Sequence, residues 1–104
     1  MIIKPILSQL YDYLKSTYHN NLKQVILFGS EARGDATLES DIDILIVLET
    51  PFNYYQEVQK IGEFISNLCL EYDRLISCCF TTEEQLKNEN NAFYRNIKKE
   101  GIKL

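Results

Sequence analysis

Two apolar runs separated by a short polar segment constrain this chain more than any other feature. Val25–Phe28 suits a buried strand, and Asp41–Leu48 is a second run rich in β-branched residues. The polar residues 29–40 between them are too few for the helical crossover that joins parallel strands. The sequence therefore predicts that these two strands pair antiparallel.

Helical periodicity precedes and follows these strands. Apolar residues fall at steps of three and four in residues 3–18 and again in residues 53–72, and each pattern predicts an amphipathic helix. Residues 75–80 form a third apolar run, which predicts a third strand. Thr81 with Glu84 has the form of a capping box, which predicts that a further helix begins there.

The predicted element order is helix, strand, loop, strand, helix, strand, helix. This order is typical of an α/β (α+β) fold in which a small mixed β-sheet is flanked by helices. The direction of the third strand cannot be read from periodicity. A length of 104 residues is that of one domain, which we expect to span residues 1–104.

Composition excludes several classes of function. Hydrophobic residues make up 45% and charged residues 25% of the chain, as in ordinary globular proteins, and the net charge is −4. This charge is not the basic footprint of a protein that binds nucleic-acid phosphates, so direct nucleic-acid binding is not expected. No stretch of about 18 apolar residues and no signal-peptide pattern is found. The three cysteines are an odd number that argues against a disulfide framework. We therefore expect a cytoplasmic protein without a membrane partner.

A pair of carboxylates opens the second predicted strand. Asp41 and Asp43 are two residues apart, so their side chains leave the same face of the strand. Two charged carboxylates on an apolar strand repel each other and are costly unless a cation pairs with them. Oxygen ligands of this kind suit a hard divalent ion such as Mg²⁺. Because such pairs also occur at ordinary strand ends, this pair alone does not establish a metal site.

The residues before this pair have the form of a phosphate-binding turn. Gly29 directly follows the first predicted strand, and a glycine there lets the backbone approach a ligand closely. Amide groups in such a turn can hold phosphate oxygens. Ser30 adds a hydroxyl group, and Arg33 adds a cation suited to phosphate. Each residue alone also fits an ordinary turn, but together with the carboxylates they indicate phosphoryl or nucleotidyl transfer.

This whole segment resembles a known signature. Gly29-Ser30, followed after ten residues by Asp41-x-Asp43, is similar to the signature of the DNA polymerase β-type nucleotidyltransferase superfamily. The text Gly-Ser-x-Ala-Arg-Gly-Asp-Ala-x-x-x-Ser-Asp-Ile-Asp is especially similar to the minimal nucleotidyltransferase (MNT) proteins. These include the MntA-like antitoxins of HEPN/MNT toxin–antitoxin pairs. The predicted element order also matches that family across nearly the whole chain.

The resemblance implies a reaction and its ligands. It implies that the protein uses ATP and Mg²⁺ and transfers AMP, and that its partner is a HEPN-domain protein. In the antitoxins the acceptor is a tyrosine hydroxyl of the HEPN toxin. Asp41 and Asp43 would bind the metal, while Gly29 and Ser30, with Arg33 beside them, would hold the phosphates of the donor nucleotide.

The resemblance also implies a third catalytic and metal-binding carboxylate, supplied by a later strand. Asp73 is the candidate in this chain. Many relatives place this aspartate inside a short strand, whereas Asp73 precedes residues 75–80, and the neighbouring Arg74 offers a salt-bridge interpretation instead. The assignment of Asp73 is therefore the weakest part of the expected site.

Two functions remain open at this point. An active protein adenylyltransferase is favoured by the intact Gly-Ser and Asp-x-Asp positions. A binding module that neutralises its partner by contact, with a weak or inactive site, is favoured by the unclear third carboxylate. Transfer to a small molecule is disfavoured, since 104 residues leave no room for the second domain that such enzymes usually carry.

Overall fold

The computed structural model of this protein describes residues 3–104. Its helices are α1 (Lys4–Tyr18), α2 (Ser30–Arg33), α3 (Tyr54–Tyr72), α4 (Glu83–Asn88) and α5 (Ala92–Glu100), and its strands are β1 (Leu22–Phe28), β2 (Ile42–Leu48), β3 (Ile76–Thr82) and β4 (Ile102–Lys103). A short 3-10 turn, His19–Asn21, joins α1 to β1. Within the described residues, no helix is both long and apolar enough to cross a membrane.

The four strands form one mixed sheet in the order β3-β2-β1-β4. Strands β1 and β2 are antiparallel, as the short segment between them predicted. Strands β2 and β3 are parallel, and α3 makes the crossover between them. Strand β4 adds to the other side of β1 in the antiparallel direction. The predicted fold class, a small mixed sheet flanked by helices, is confirmed.

Each face of the sheet is covered by its own pair of helices. On one face, apolar residues of α1 and α3 pack on the even-numbered residues of β2 from Ile42 to Leu48 in a single buried cluster. On the other face, α4 and α5 pack through Leu86 and Ile97 on Leu45 and Val47. Because side chains alternate along a strand, Asp43 lies on this second face. The sheet therefore presents Asp43 on the side that α5 covers.

The capping box at the start of α4 is shifted by one residue from its predicted position. The predicted pair was Thr81 and Glu84, but the hydroxyl of Thr82 accepts from the backbone amide of Gln85, and the Gln85 side chain accepts from the amide of Thr82. Thr81 is 1% exposed and bonds Tyr94 instead, with 2.8 Å between the two hydroxyl oxygens. The third strand accordingly continues two residues beyond its predicted end.

Candidate active site

The turn after β1 has a conformation that only glycine adopts readily. Gly29 has φ 75° and ψ −154°, a region that is essentially closed to other residues. A Cβ atom at this position would lie 2.3 Å from Oδ2 of Asp43, well inside van der Waals contact. Gly29 is therefore required both by its backbone angles and by the close approach of the Asp43 carboxylate.

The short helix α2 begins directly at this glycine. The amide of Arg33 donates to the carbonyl of Gly29 at 3.1 Å, and the amide of Gly34 donates to Ser30 at 2.9 Å. The first amides of a helix have no partner within it, and no side chain of the described residues caps this one. The turn thus places the first residues of α2 directly after the glycine that the Asp43 carboxylate approaches.

The two predicted metal ligands lie at the start of β2 and differ in exposure. Asp41 precedes the strand and is exposed, whereas Asp43 lies within it, half-buried, opposite Phe28 of β1. Burial raises the pKa of the Asp43 carboxyl, the negative charge of Asp41 raises it further, and Arg33 opposes the rise. Two carboxylates whose charges disfavour each other, with a glycine in close approach, fit a hard divalent cation.

Arg33 is held at the edge of this group by two acidic side chains. Its Nε lies 3.2 Å from Asp35 Oδ2, and its Nη1 lies 3.6 Å from Glu100 Oε2 on α5. The side chain is 44% exposed, so its guanidinium remains accessible to a ligand. The structure therefore brings Gly29, Ser30, Arg33 and the two aspartates together at one end of the central strands.

Asp73 is not brought into this group. It caps the C-terminus of α3 in the left-handed conformation, with φ 52°, and its side chain is exposed in the turn before β3. Among residues 3–104 no three histidine, cysteine or acidic side chains lie together in a way that could hold a metal ion. The expected set of Asp41, Asp43 and Asp73 as three ligands of one metal is thus not assembled, because Asp73 precedes the strand instead of lying in it.

The residue of β3 that pairs with Asp43 is Ser77. It is the Cα partner of Asp43 in the parallel pairing, and side chains of paired residues leave the same face of a sheet. Ser77 is exposed and carries no charge. Its position depends on the register between two strands, which the sequence alone did not provide.

A buried ion pair fixes α2 against the turn before β3. Nη2 of Arg74 donates to Oε2 of Glu31 at 2.6 Å and to the carbonyl of Ser40 at 3.0 Å. The two charged side chains are only 8% and 7% exposed. The sequence suggested a salt bridge between Arg74 and the adjacent Asp73, whereas the ion pair found in the structure joins Arg74 to Glu31 on α2. This contact holds the turn at Gly29 and the segment before Asp41 in one arrangement.

Arg74→Met should lower the free energy of unfolding by about 3–5 kcal/mol, because it leaves the buried Glu31 carboxylate without its cation. Urea denaturation followed by circular dichroism measures this change. Lys23→Met is the matched control, since Lys23 and Glu49 pair at 3.5 Å with side chains 31% and 55% exposed. The control should cost no more than about 1 kcal/mol. Equal losses in the two variants would contradict a structural role for the buried pair.

A glycine turn and paired aspartates lie together at one end of the mixed sheet. Residues 7–104 match the model of the nucleotidyltransferase domain family, and the chain belongs to that family. It is accordingly a nucleotidyltransferase, as the signature around Gly29 and Asp41 indicated.

Sequence relatives place the chain more closely within this family. A Methanocaldococcus jannaschii protein provisionally named a protein adenylyltransferase is 43% identical over 89 residues, which are 85% of this chain and 83% of the relative. A second protein of that organism, named in the same way, is 42% identical over 78 residues, which are 74% of this chain and 77% of the relative.

Solved structures share the fold at lower identity. A provisionally assigned nucleotidyltransferase from Sulfolobus solfataricus superposes with a TM-score of 0.68 at 24% identity, covering 95% of this chain and 76% of its own. A mutant form of the MntA–HpeT toxin–antitoxin gives 0.60 at 20% identity, covering 93% and 70%. A toxin–antitoxin solved with AMP-PNP gives 0.62 at 18% identity, covering 91% and 69%.

Proposed function

We propose that this protein transfers AMP from Mg²⁺-bound ATP to a hydroxyl group, that of a tyrosine, on a HEPN-domain partner toxin, and so acts as its antitoxin. The observation that carries the proposal is the close approach of the Asp43 carboxylate to Gly29, with the charge of Asp41 acting on that carboxylate. The names of the archaeal relatives, protein adenylyltransferases, support AMP transfer to a protein. The fold shared with toxin–antitoxin structures, one of them with AMP-PNP, supports the nucleotide and the partner.

In the proposed reaction the partner's hydroxyl oxygen attacks the α-phosphorus of ATP. A new oxygen–phosphorus bond forms, the bond from the α-phosphorus to the bridging oxygen breaks, pyrophosphate leaves, and the hydroxyl proton passes to water or a base. Mg²⁺ bound by Asp41 and Asp43 would supply stabilisation of charge on the reacting phosphate oxygens. The amides of the Gly29 turn and the Ser30 hydroxyl would hold the departing pyrophosphate, and Arg33 would neutralise part of its charge.

The direct test incubates the protein with labelled ATP, Mg²⁺ and a candidate HEPN-domain partner protein. Mass spectrometry should find the mass of AMP on a tyrosine of that partner. The same reaction with a variant that lacks both Asp41 and Asp43 carboxylates should leave the partner unmodified. Transfer of AMP to a free small molecule, with none to the partner, would contradict the proposal.

A second function is favoured by one specific observation. In the described part of the chain no third acidic side chain joins Asp41 and Asp43. A nucleotidyltransferase fold with only two carboxylates could neutralise its partner by contact and transfer AMP weakly or not at all. Wild-type protein that protects against the toxin while the partner stays unmodified would support this alternative.

Two substitutions address the third carboxylate. One tests whether Asp73 supplies it, and the other introduces a carboxylate at position 77. Because Asp73 is exposed in a turn, we expect Asp73→Asn to leave transfer within about twofold of wild type, whereas removal of a general base costs about 10²-fold or more. Ser77→Asp places a carboxylate opposite Asp43, which should destabilise the metal-free protein by about 0.2–1 kcal/mol. Addition of Mn²⁺ or Mg²⁺ should raise the melting temperature of this variant by more than it raises that of wild type. A 10²-fold loss in Asp73→Asn would restore Asp73 as the base.

A further inference from the structure

A cleft of about 240 Å³ lies between the Gly29 turn and helix α5. Gly29 and Arg33 line one side of it, Phe28 of β1 lies at the sheet, and Phe93 and Asn96 of α5 line the other side. The proposed phosphate-binding residues thus form one wall of a second compartment. That compartment is largely apolar, which a triphosphate would not require.

Two residues that line the cleft, Phe28 and Gly29, are also neighbours of Asp43. Phe28 is the Cα partner of Asp43 across the antiparallel β1–β2 pairing, so their side chains are neighbours on the face that α5 covers. A ligand whose phosphates lie at Gly29 and Asp43 would therefore extend its remaining part along Phe28 towards α5. One ligand could therefore occupy both the proposed phosphate site and the cleft beside α5.

An aromatic side chain stands at the mouth of the cleft with part of its surface uncovered. The ring of Phe93 meets Phe28 edge to face, with centroids 5.7 Å apart and planes at 85°. Phe93 remains 42% exposed, although it packs against two aromatic neighbours. Asn96 follows three residues later on the same side of α5. Its amide offers both a donor and an acceptor at the rim.

We propose that this cleft binds the nucleobase of the donor nucleotide, with the base stacked on Phe93 and its edge bonded by Asn96. This inference rests on the proposed function, since it assumes that a nucleoside triphosphate binds at Gly29 and Asp43. An amide side chain matches the paired donor and acceptor on the N6 and N7 edge of adenine. Asn96 therefore favours adenine over guanine. The ion pair between Arg33 and Glu100 joins two residues that line the same cleft.

The test compares two ligands that share phosphates but differ in the base. MgATP and magnesium tripolyphosphate are titrated into wild type and Phe93→Ala by calorimetry. Phe93→Ala should weaken MgATP binding by about tenfold or more, the scale found when an aromatic base-stacking residue is replaced by alanine. Tripolyphosphate binding should stay within about twofold. Asn96→Ala should bring the affinities for ATP and GTP closer together.

Controls keep the outcomes distinguishable. Tyr55→Ala removes another aromatic, 71% exposed on α3, and should change neither affinity. Phe93→Leu keeps apolar packing against Phe28 and should still weaken MgATP, even if Phe93→Ala is poorly folded. Wild type that binds both ligands, with MgATP affinity unchanged in both Phe93 variants, would overturn this inference alone. Wild type that binds neither ligand would overturn the proposed function and this inference with it.

Discussion

Replacing Asp41 and Asp43 together by asparagine should abolish the rise in melting temperature that we expect MgATP to produce in the wild type. At a ligand concentration of about 100 Kd, binding stabilises the folded state by about 2.7 kcal/mol, and the double variant should lose all of it. The metal-free variant should be at least as stable as wild type. The reason is that burial and the Asp41 charge both raise the pKa of Asp43, so the ionised pair is disfavoured in the folded protein.

Thermal shift with and without MgATP measures both effects in one experiment. Glu39→Gln is the control, because Glu39 is an exposed carboxylate in the segment that leads to Asp41 and has no assigned role. It should keep the full MgATP shift. An undiminished shift in the double variant would place the nucleotide elsewhere on the protein.

The substitution Gly29→Ala adds a single methyl group, and we expect it to affect the site more than a methyl group added at any other position. The backbone strain at φ 75° and ψ −154° costs about 1–3 kcal/mol for a residue with a Cβ. The new Cβ also lies within 2.3 Å of the Asp43 carboxylate, which must rotate away to relieve the overlap. Since that carboxylate is a proposed metal ligand, MgATP binding should weaken by about tenfold or more, beyond the loss of stability.

Gly34→Ala separates strain from displacement of the carboxylate. Gly34 also has a positive φ, 84°, but a Cβ there would meet no atom within 4 Å. It should lose about 1–2 kcal/mol of stability from the left-handed backbone alone, and keep the affinity of wild type for MgATP. If Gly34→Ala and Gly29→Ala weaken MgATP binding equally, the close approach to Asp43 is not the cause of the weaker binding in Gly29→Ala.

Local pattern was enough to predict the main elements of the fold. Helices α1 and α3 each carry an apolar stripe over four or more turns, and the run of apolar residues from Ile42 to Leu48 is unambiguous. The antiparallel pairing of β1 and β2 followed from the length of the segment between them. Elements of four residues or fewer, α2 and β4, were missed because they are too short to show a period.

Positions that depend on tertiary contacts could not be predicted. Both Thr81 with Glu84 and Thr82 with Gln85 satisfy the spacing of a capping box, and the choice is decided by the burial of Thr81 against Tyr94. The pairing of Glu31 with Arg74 joins residues 43 positions apart.

In the site, the glycine turn and the aspartate pair could be read from the sequence because they are contiguous. The neighbour of Asp43 on β3 could not, since it depends on where that strand begins. A start at Ile76 places Ser77 beside Asp43 and leaves Asp73 in the preceding turn.

The two faces of the sheet differ in how many buried apolar residues hold their helices, and we expect this difference to affect local opening. Among residues 3–104, fifteen buried residues form the cluster beneath α1 and α3, but only five form the cluster beneath α4 and α5. Segments with few buried apolar contacts open at lower free energy, so amide hydrogens of α5 should exchange with solvent before those of α1 and α3. The helix that carries Phe93 and Asn96 should thus open before α1 and α3. The amides of β2, which carries Asp43, should stay protected from exchange while α5, on one side of the cleft, opens.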